Sequence, residues 1–262
     1  MGAAAGPGAD INVRRFGVGP PVVLVHGAMT SSSHTWARQE SLADRWELVI
    51  PDRRGFEPNP PAGRCDFEVD AADLAPLLGD GAHLVGHSYG AISALFAAAL
   101  RPAAVRSLTL IEPPTHALRR GDPAVEQQIA EHAESVRTIH DPAEFMRAFL
   151  TRLGLPSDGV VSPLPEPLER HVRLLMNERP PWDAPIPVDV LRRSGFPVLI
   201  VSGGHNETFE VLCDTLADAL GETARRAVLP GRGHVVQRTG EAFNECLEQF
   251  LREAESTVRG HA

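Results

Sequence analysis

The sequence predicts an α/β fold, a mostly parallel sheet with helices on both faces and an inserted helical cap. Three observations carry this expectation. Short apolar runs alternate with helical patterns along most of the chain, as buried parallel strands do. The run Gly86-His87-Ser88-Tyr89-Gly90 lies between an apolar strand and a small-residue helix. Between Ile111 and Pro197 the alternation stops and helix starts replace it.

Taken in order, the strands are expected at Ile11–Phe16, Val22–Val25, Glu47–Ile50, Ala82–Val85, Ser107–Ile111, Pro197–Val201 and Ala224–Leu229. The helix after Gly90 runs over Ala91–Leu100. A last helix after Thr239 places Phe243, Cys246, Leu247, Phe250 and Leu251 on one face. In the interrupted stretch, Asp122-Pro123 puts an N-cap before a proline at the first helical position. Asp141-Pro142-Ala143-Glu144 does the same and adds a capping-box Glu. A third helix is expected over Leu168–Asn177, flanked by prolines. The expected organisation is a core of 1–113 and 191–262 with a cap of 114–190, and no internal repeats. Cap residues Phe145, Met146, Phe149, Leu153, Leu174 and Leu175 form an apolar stripe, which reads first as the cap's own core and second as a pocket wall.

Composition excludes several function classes. A chain of 262 residues sustains one large core. No apolar run reaches the ~20 residues of a membrane span. The net charge is −9 and the positive residues form no block, which argues against nucleic acid. All 25 positive side chains are Arg, so lysine Schiff-base chemistry is excluded. Cys65, Cys213 and Cys246 are odd in number and widely spaced, with no disulfide or zinc pattern, so a reducing cytoplasm is expected. Met1–Gly8 lacks a signal-peptide pattern, and Gly6 stands where myristoylation needs Ser or Thr. No cofactor and no metal site is expected.

Gly-x-Ser-x-Gly at a strand-to-helix turn is a nucleophile elbow. The turn is so sharp that the serine takes a strained conformation and its hydroxyl is lifted clear of the sheet. Side chains at Gly86 or Gly90 would collide with neighbouring backbone. A serine hydroxyl is a weak nucleophile and needs a base to remove its proton. His234, in the glycine-rich turn Leu229-Pro230-Gly231-Arg232-Gly233-His234, is the expected base.

With these motifs the chain resembles the α/β-hydrolase family over nearly its whole core. His26-Gly27-Ala28-Met29 is similar to the family's oxyanion loop, and Asp52-Arg53-Arg54-Gly55 to the loop that follows. Glu57 and Asn59 depart from the family's usual Gly and Ser. The resemblance implies Ser88 as nucleophile, His234 as base, and a carboxylate completing the relay. The family's most frequent position for that acid, after the strand Pro197–Val201, holds Asn206, with Glu207 one residue later. A neutral amide orients an imidazole but cannot stabilise an imidazolium. Glu112, directly after the strand ending at Ile111, is the favoured alternative. Some relatives take the acid there, and a carboxylate at a buried strand end is costly unless paired. The oxyanion hole is expected from the amides of Tyr89 and Ala28, with Met29 second. Met29 and Trp182 are also expected at the substrate. His87 should pack beneath the elbow, His26 should be a structural hydrogen-bonder, and His116, His132, His140 and His171 in the cap should be solvated.

A serine at this position implies acyl transfer, since related dehalogenases and epoxide hydrolases carry Asp there. The expected partner is a small apolar ester or lactone, with a homodimer compatible and no membrane or nucleic acid. Glu112-Pro113-Pro114-Thr115, Trp182 and a small cap are similar to zearalenone-type lactonases. Two alternatives stay open. One is a cofactor-free lyase, oxygenase or cyclase in which Ser88 only binds. The other is a non-catalytic ligand receptor on the same fold.

Overall fold

The computed structural model describes residues 11–259. The reading of Met1–Gly8 therefore lies outside the described residues. Seven strands, β1 (Val13–Phe16), β2 (Pro21–Val25), β3 (Glu47–Pro51), β4 (Ala82–His87), β5 (Val105–Ile111), β6 (Val198–Ser202) and β7 (Ala224–Val228), form one sheet in the order β1-β3-β2-β4-β5-β6-β7. Each strand lies where the sequence predicts it, within about two residues, the usual scatter of element ends. β1 runs antiparallel to β3 and every other pair is parallel.

The helices are α1 (Ser32–Thr35), α2 (Phe67–Leu74), α3 (Tyr89–Leu100), α4 (Pro123–Thr138), α5 (Pro142–Arg152), α6 (Glu166–Met176), α7 (Val188–Ser194), α8 (Glu207–Leu220) and α9 (Glu241–Arg259). Alternation of side chains along each strand divides the core in two. Val23, Val25, Leu84, Leu108 and Ile200 pack under α2, α3, α7 and α8. Val22, Leu24, Val85, Ile111 and Val201 pack under α9 through Phe243, Leu247, Phe250 and Leu251. Both faces are covered, so the strands read as continuous apolar runs.

Helices α4, α5 and α6 lie between β5 and β6 in the chain, with no strand among them. Asp122 accepts from the amides of Ala124 and Val125, and Asp141 from that of Glu144, so both predicted caps form. The expected apolar stripe splits by function. Phe145 and Leu175 are the cap's own core, Leu174 joins the sheet core, and Phe149 and Leu153 face a cavity. No described helix is long and apolar enough to cross a membrane.

Candidate active site

β4 and β5 end side by side, with His87 and Ile111 in register. The next residue on each strand is Ser88 and Glu112, and both have positive φ, 52° and 48°. Met29, in the loop after β2, has φ 63°, and these are the only non-glycine residues of positive φ among those described. Such conformations cost of order 1–3 kcal/mol each and persist only where the surroundings impose them. At the elbow the reason is close packing. A Cβ on Gly86 would lie 2.6 Å from Ala91 Cα, and one on Gly90 would lie 2.2 Å from the His26 carbonyl oxygen.

The Ser88 hydroxyl lies 2.9 Å from His234 Nε2, and His234 Nδ1 lies 3.3 Å from Glu112 Oε2. With Nδ1–H donating to the carboxylate, Nε2 is free to accept the serine proton. Glu112 is fully buried, and its Oε1 accepts the Gly203 amide at 2.6 Å. Burial pushes the Glu112 carboxyl up to about 7, opposed by the Gly203 hydrogen bond. Burial likewise pulls His234 down to about 3, so the resting imidazole is unprotonated.

Asn206 and Glu207 do not join this group. Asn206 caps α8, accepting from the amides of Thr208 and Phe209, while its own side-chain amide donates to the Arg152 carbonyl. Glu207 is exposed on the first turn of that helix. An Asn before an amphipathic run is an N-cap signal, and that reading accounts for Asn206 here.

The surroundings hold the histidine and the loop in place. His87 Nε2–H donates to the His234 carbonyl at 2.9 Å, and Phe209 packs 4.7 Å from the His234 ring. His26 Nε2 accepts the Arg53 amide, and its Nδ1–H faces the Gly27 carbonyl. Arg53 is buried, pairs with Asp70 at 2.7 Å, and donates to the Gly27 carbonyl at 3.1 Å. Asn59, one of the departures noted above, ties the carbonyls of Asp52 and Arg53. The Arg53 tether of the loop carried no signal in the sequence beyond its place in Asp52–Gly55.

A cavity of about 60 Å³ opens on Ser88, Tyr89 and Ala28, with Trp182, Phe149 and Arg152 among its other walls. Tyr89 opens α3, so its amide has no partner within the helix. Its ring turns away, with the hydroxyl donating to the Arg179 carbonyl. Met29 does not reach this cavity and packs against the cap core instead. Three of the four cap histidines are buried, contrary to the expectation of solvation. His116 bridges the Pro114 carbonyl and Gln128, His132 accepts from Arg152, and His171 packs 4.8 Å from Phe56. Each buried ring found a partner that lies far along the chain or on another element. Only His140 is exposed. Among the described residues no cluster of His, Cys, Asp and Glu could hold a metal ion.

A model of the alpha/beta hydrolase family matches residues 22–245. The chain is 30% identical to lipase LipV of Mycobacterium tuberculosis over 187 residues, covering 69% of each chain. It is 28% identical to 2-(acetamidomethylene)succinate hydrolase of Mesorhizobium japonicum over 267 residues, covering 92% of this chain and 91% of that one. Among solved structures, an alpha/beta hydrolase from Sphaerobacter thermophilus superposes with a TM-score of 0.66 at 26% identity, covering 93% of this chain and 98% of that one.

Proposed function

This chain belongs to the α/β-hydrolase family, and from that premise we propose that it hydrolyses a small carboxylic ester or lactone through an acyl-enzyme on Ser88. The observation that carries the proposal is the His234 ring, with Nε2 at 2.9 Å from the Ser88 hydroxyl and Nδ1 at 3.3 Å from Glu112. As Ser88 Oγ attacks the carbonyl carbon, its proton passes to His234 Nε2. Glu112 holds the ring's orientation and offsets the charge of the imidazolium. The negative charge on the carbonyl oxygen is taken by the amides of Tyr89 and Ala28, with the N-terminus of α3 adding its dipole. His234 then returns the proton to the leaving oxygen. Water, deprotonated by the same ring, releases the acid and restores Ser88. The name of one relative, a lipase, favours ester hydrolysis, and the other is named as a hydrolase of a succinate derivative.

The lyase-type alternative drew on Asn206 at the acid position. Its place as the cap of α8, with Glu112 facing His234 instead, removes that motive. The free thiols Cys65 and Cys213 are buried, and Cys246 is half-buried, which suits a reducing compartment such as the cytoplasm. A fluorophosphonate should form a single adduct on Ser88. Ser88→Ala should lower turnover of short esters by about 10⁴–10⁶-fold. Retained turnover in that variant, or labelling elsewhere, would rule the proposal out.

A further inference from the structure

Arg152 is the last residue of α5 and is half-buried. Its guanidinium donates to two neutral groups, Ser135 Oγ at 3.2 Å and His132 Nδ1 at 3.0 Å, and lies 5.6 Å from the Phe149 ring centre. Among the described residues no carboxylate lies within 4.0 Å of it, although 15 of the other arginines do make such pairs in this acidic chain. Burial acts against its charge, and the nearest acid acting on it, Glu131, is exposed and engaged by Gln127. A guanidinium held this way is an under-compensated cation, and a planar anion is its natural complement.

Its place gives that complement a function. Arg152 lines the cavity that opens on Ser88 and also the outer groove between α4 and α5, so it forms part of the wall between them. The remaining walls of the inner cavity are largely apolar, with Phe149, Leu153, Trp182 and Phe209. Glu178 also lines it, but burial pushes this carboxyl up to about 8, so near neutrality it is uncharged and does not oppose an anion.

We propose that Arg152 binds a carboxylate at the far end of the substrate, so that the enzyme acts on esters or lactones whose short apolar chain ends in an anionic group. This rests on the reading of Ser88 as the nucleophile, and it narrows the expected partner from an apolar ester to a half-ester of a dicarboxylic acid. The carboxylate accepts from the guanidinium, and the chain lies along the apolar walls toward the Ser88 hydroxyl.

The test separates recognition from chemistry. Binding of monomethyl adipate and of dimethyl adipate is measured by calorimetry on Ser88→Ala protein, which holds substrate without turnover, and on Ser88→Ala carrying Arg152→Gln or Arg152→Lys. The expected result is about 10- to 100-fold weaker binding of the half-ester in the Gln variant, with the diester unchanged and the Lys variant in between. Equal losses for both esters, unchanged binding of the half-ester, or no binding of it to the Ser88→Ala protein would each overturn the proposal. Turnover by the enzyme with Ser88 intact judges the hydrolase reading separately. If the half-ester binds through Arg152 but is never cleaved, the chemistry assigned to Ser88 fails while the recognition stands.

Discussion

Ser88 and Glu112 are neighbours in register, each one residue beyond the His87–Ile111 pair and each in the left-handed region, at φ 52° and 48°. The amide of Ser88 donates to the Ile111 carbonyl and that of Glu112 to the Val201 carbonyl. Hydrogen bonding thus carries past the strand ends while the backbone turns sharply, and both side chains meet the same imidazole.

Glu112 should set both the pH dependence of activity and part of the cost of folding. Its carboxyl is raised from 4.5 to about 7 by burial. The folded state therefore holds this proton more tightly than the unfolded chain does. The favourable contribution is complete below pH 4.5 and is lost as pH rises to about 7. Above that, the buried carboxylate costs about 3 kcal/mol, at about 1.4 kcal/mol per tenfold. Glu112→Gln should melt higher than wild type at pH 8, by scanning calorimetry, yet lose about 10³–10⁴-fold in kcat. Wild-type kcat/KM should rise to a plateau as the carboxylate forms, above the ordinary range of glutamates, and the variant should lack that limb.

His87 should act as a positioning residue for the His234 ring. Its Nε2–H holds the His234 carbonyl. His87→Leu removes that tether while keeping the site filled. It should lower kcat by about 10-fold or more, the size of one lost buried hydrogen bond, with KM little changed. Steady-state kinetics on a short ester reads both constants, and slower fluorophosphonate labelling of Ser88 should accompany the drop.

Arg53 and Asp70 form a fully buried ion pair beneath the Gly27 loop. Removing one partner strands the other charge, so Arg53→Met should destabilise by about 3–5 kcal/mol. Arg53→Met with Asp70→Leu should recover most of the melting temperature. Activity should stay low in both, because the bond to the Gly27 carbonyl is gone. Equal recovery of stability and turnover would contradict the role given to that bond.

A second Ser-His-Glu group serves as an internal control. His83 Nδ1 lies 2.7 Å from Ser107 Oγ and its Nε2 lies 3.3 Å from Glu255. Ser107 is fully buried, and neither described cavity touches it. Ser107→Ala should leave kcat/KM within about twofold of wild type, and mass spectrometry should find no label on that peptide. Three residue types in a row do not make a catalyst without space for a carbonyl beside them.

Much of this was legible in the chain. Buried parallel strands are continuous apolar runs, so all seven could be placed, and the glycines at 86 and 90 announce a turn that only packing can explain. The serine and the late histidine follow from that turn. Arg152 and the buried cap histidines were not legible, because their burial depends on partners from other segments, His132 on Arg152, His116 on Gln128 and His171 on Phe56. Among 25 arginines, nothing local distinguishes the one that lines the cavity and meets only neutral groups. Asn206 marks the opposite case. Its local signal, a helix cap, was present but stood at a position where a family pattern suggested something else.

The span from Gly203 to Asn206 makes three contacts with different parts of the molecule. Gly203 gives its amide to Glu112, His205 donates to the Leu153 carbonyl, and Asn206 donates to the Arg152 carbonyl. One short peptide thereby ties the end of α5 to Glu112. A graft that exchanges the lid for one from another hydrolase would have to bring two carbonyl acceptors to the same places, or the acid would lose its amide along with the lid's anchor. The segment of α4, α5 and α6 is a fitted part of this scaffold, and under the proposed reaction its exchange should retune the site beneath it.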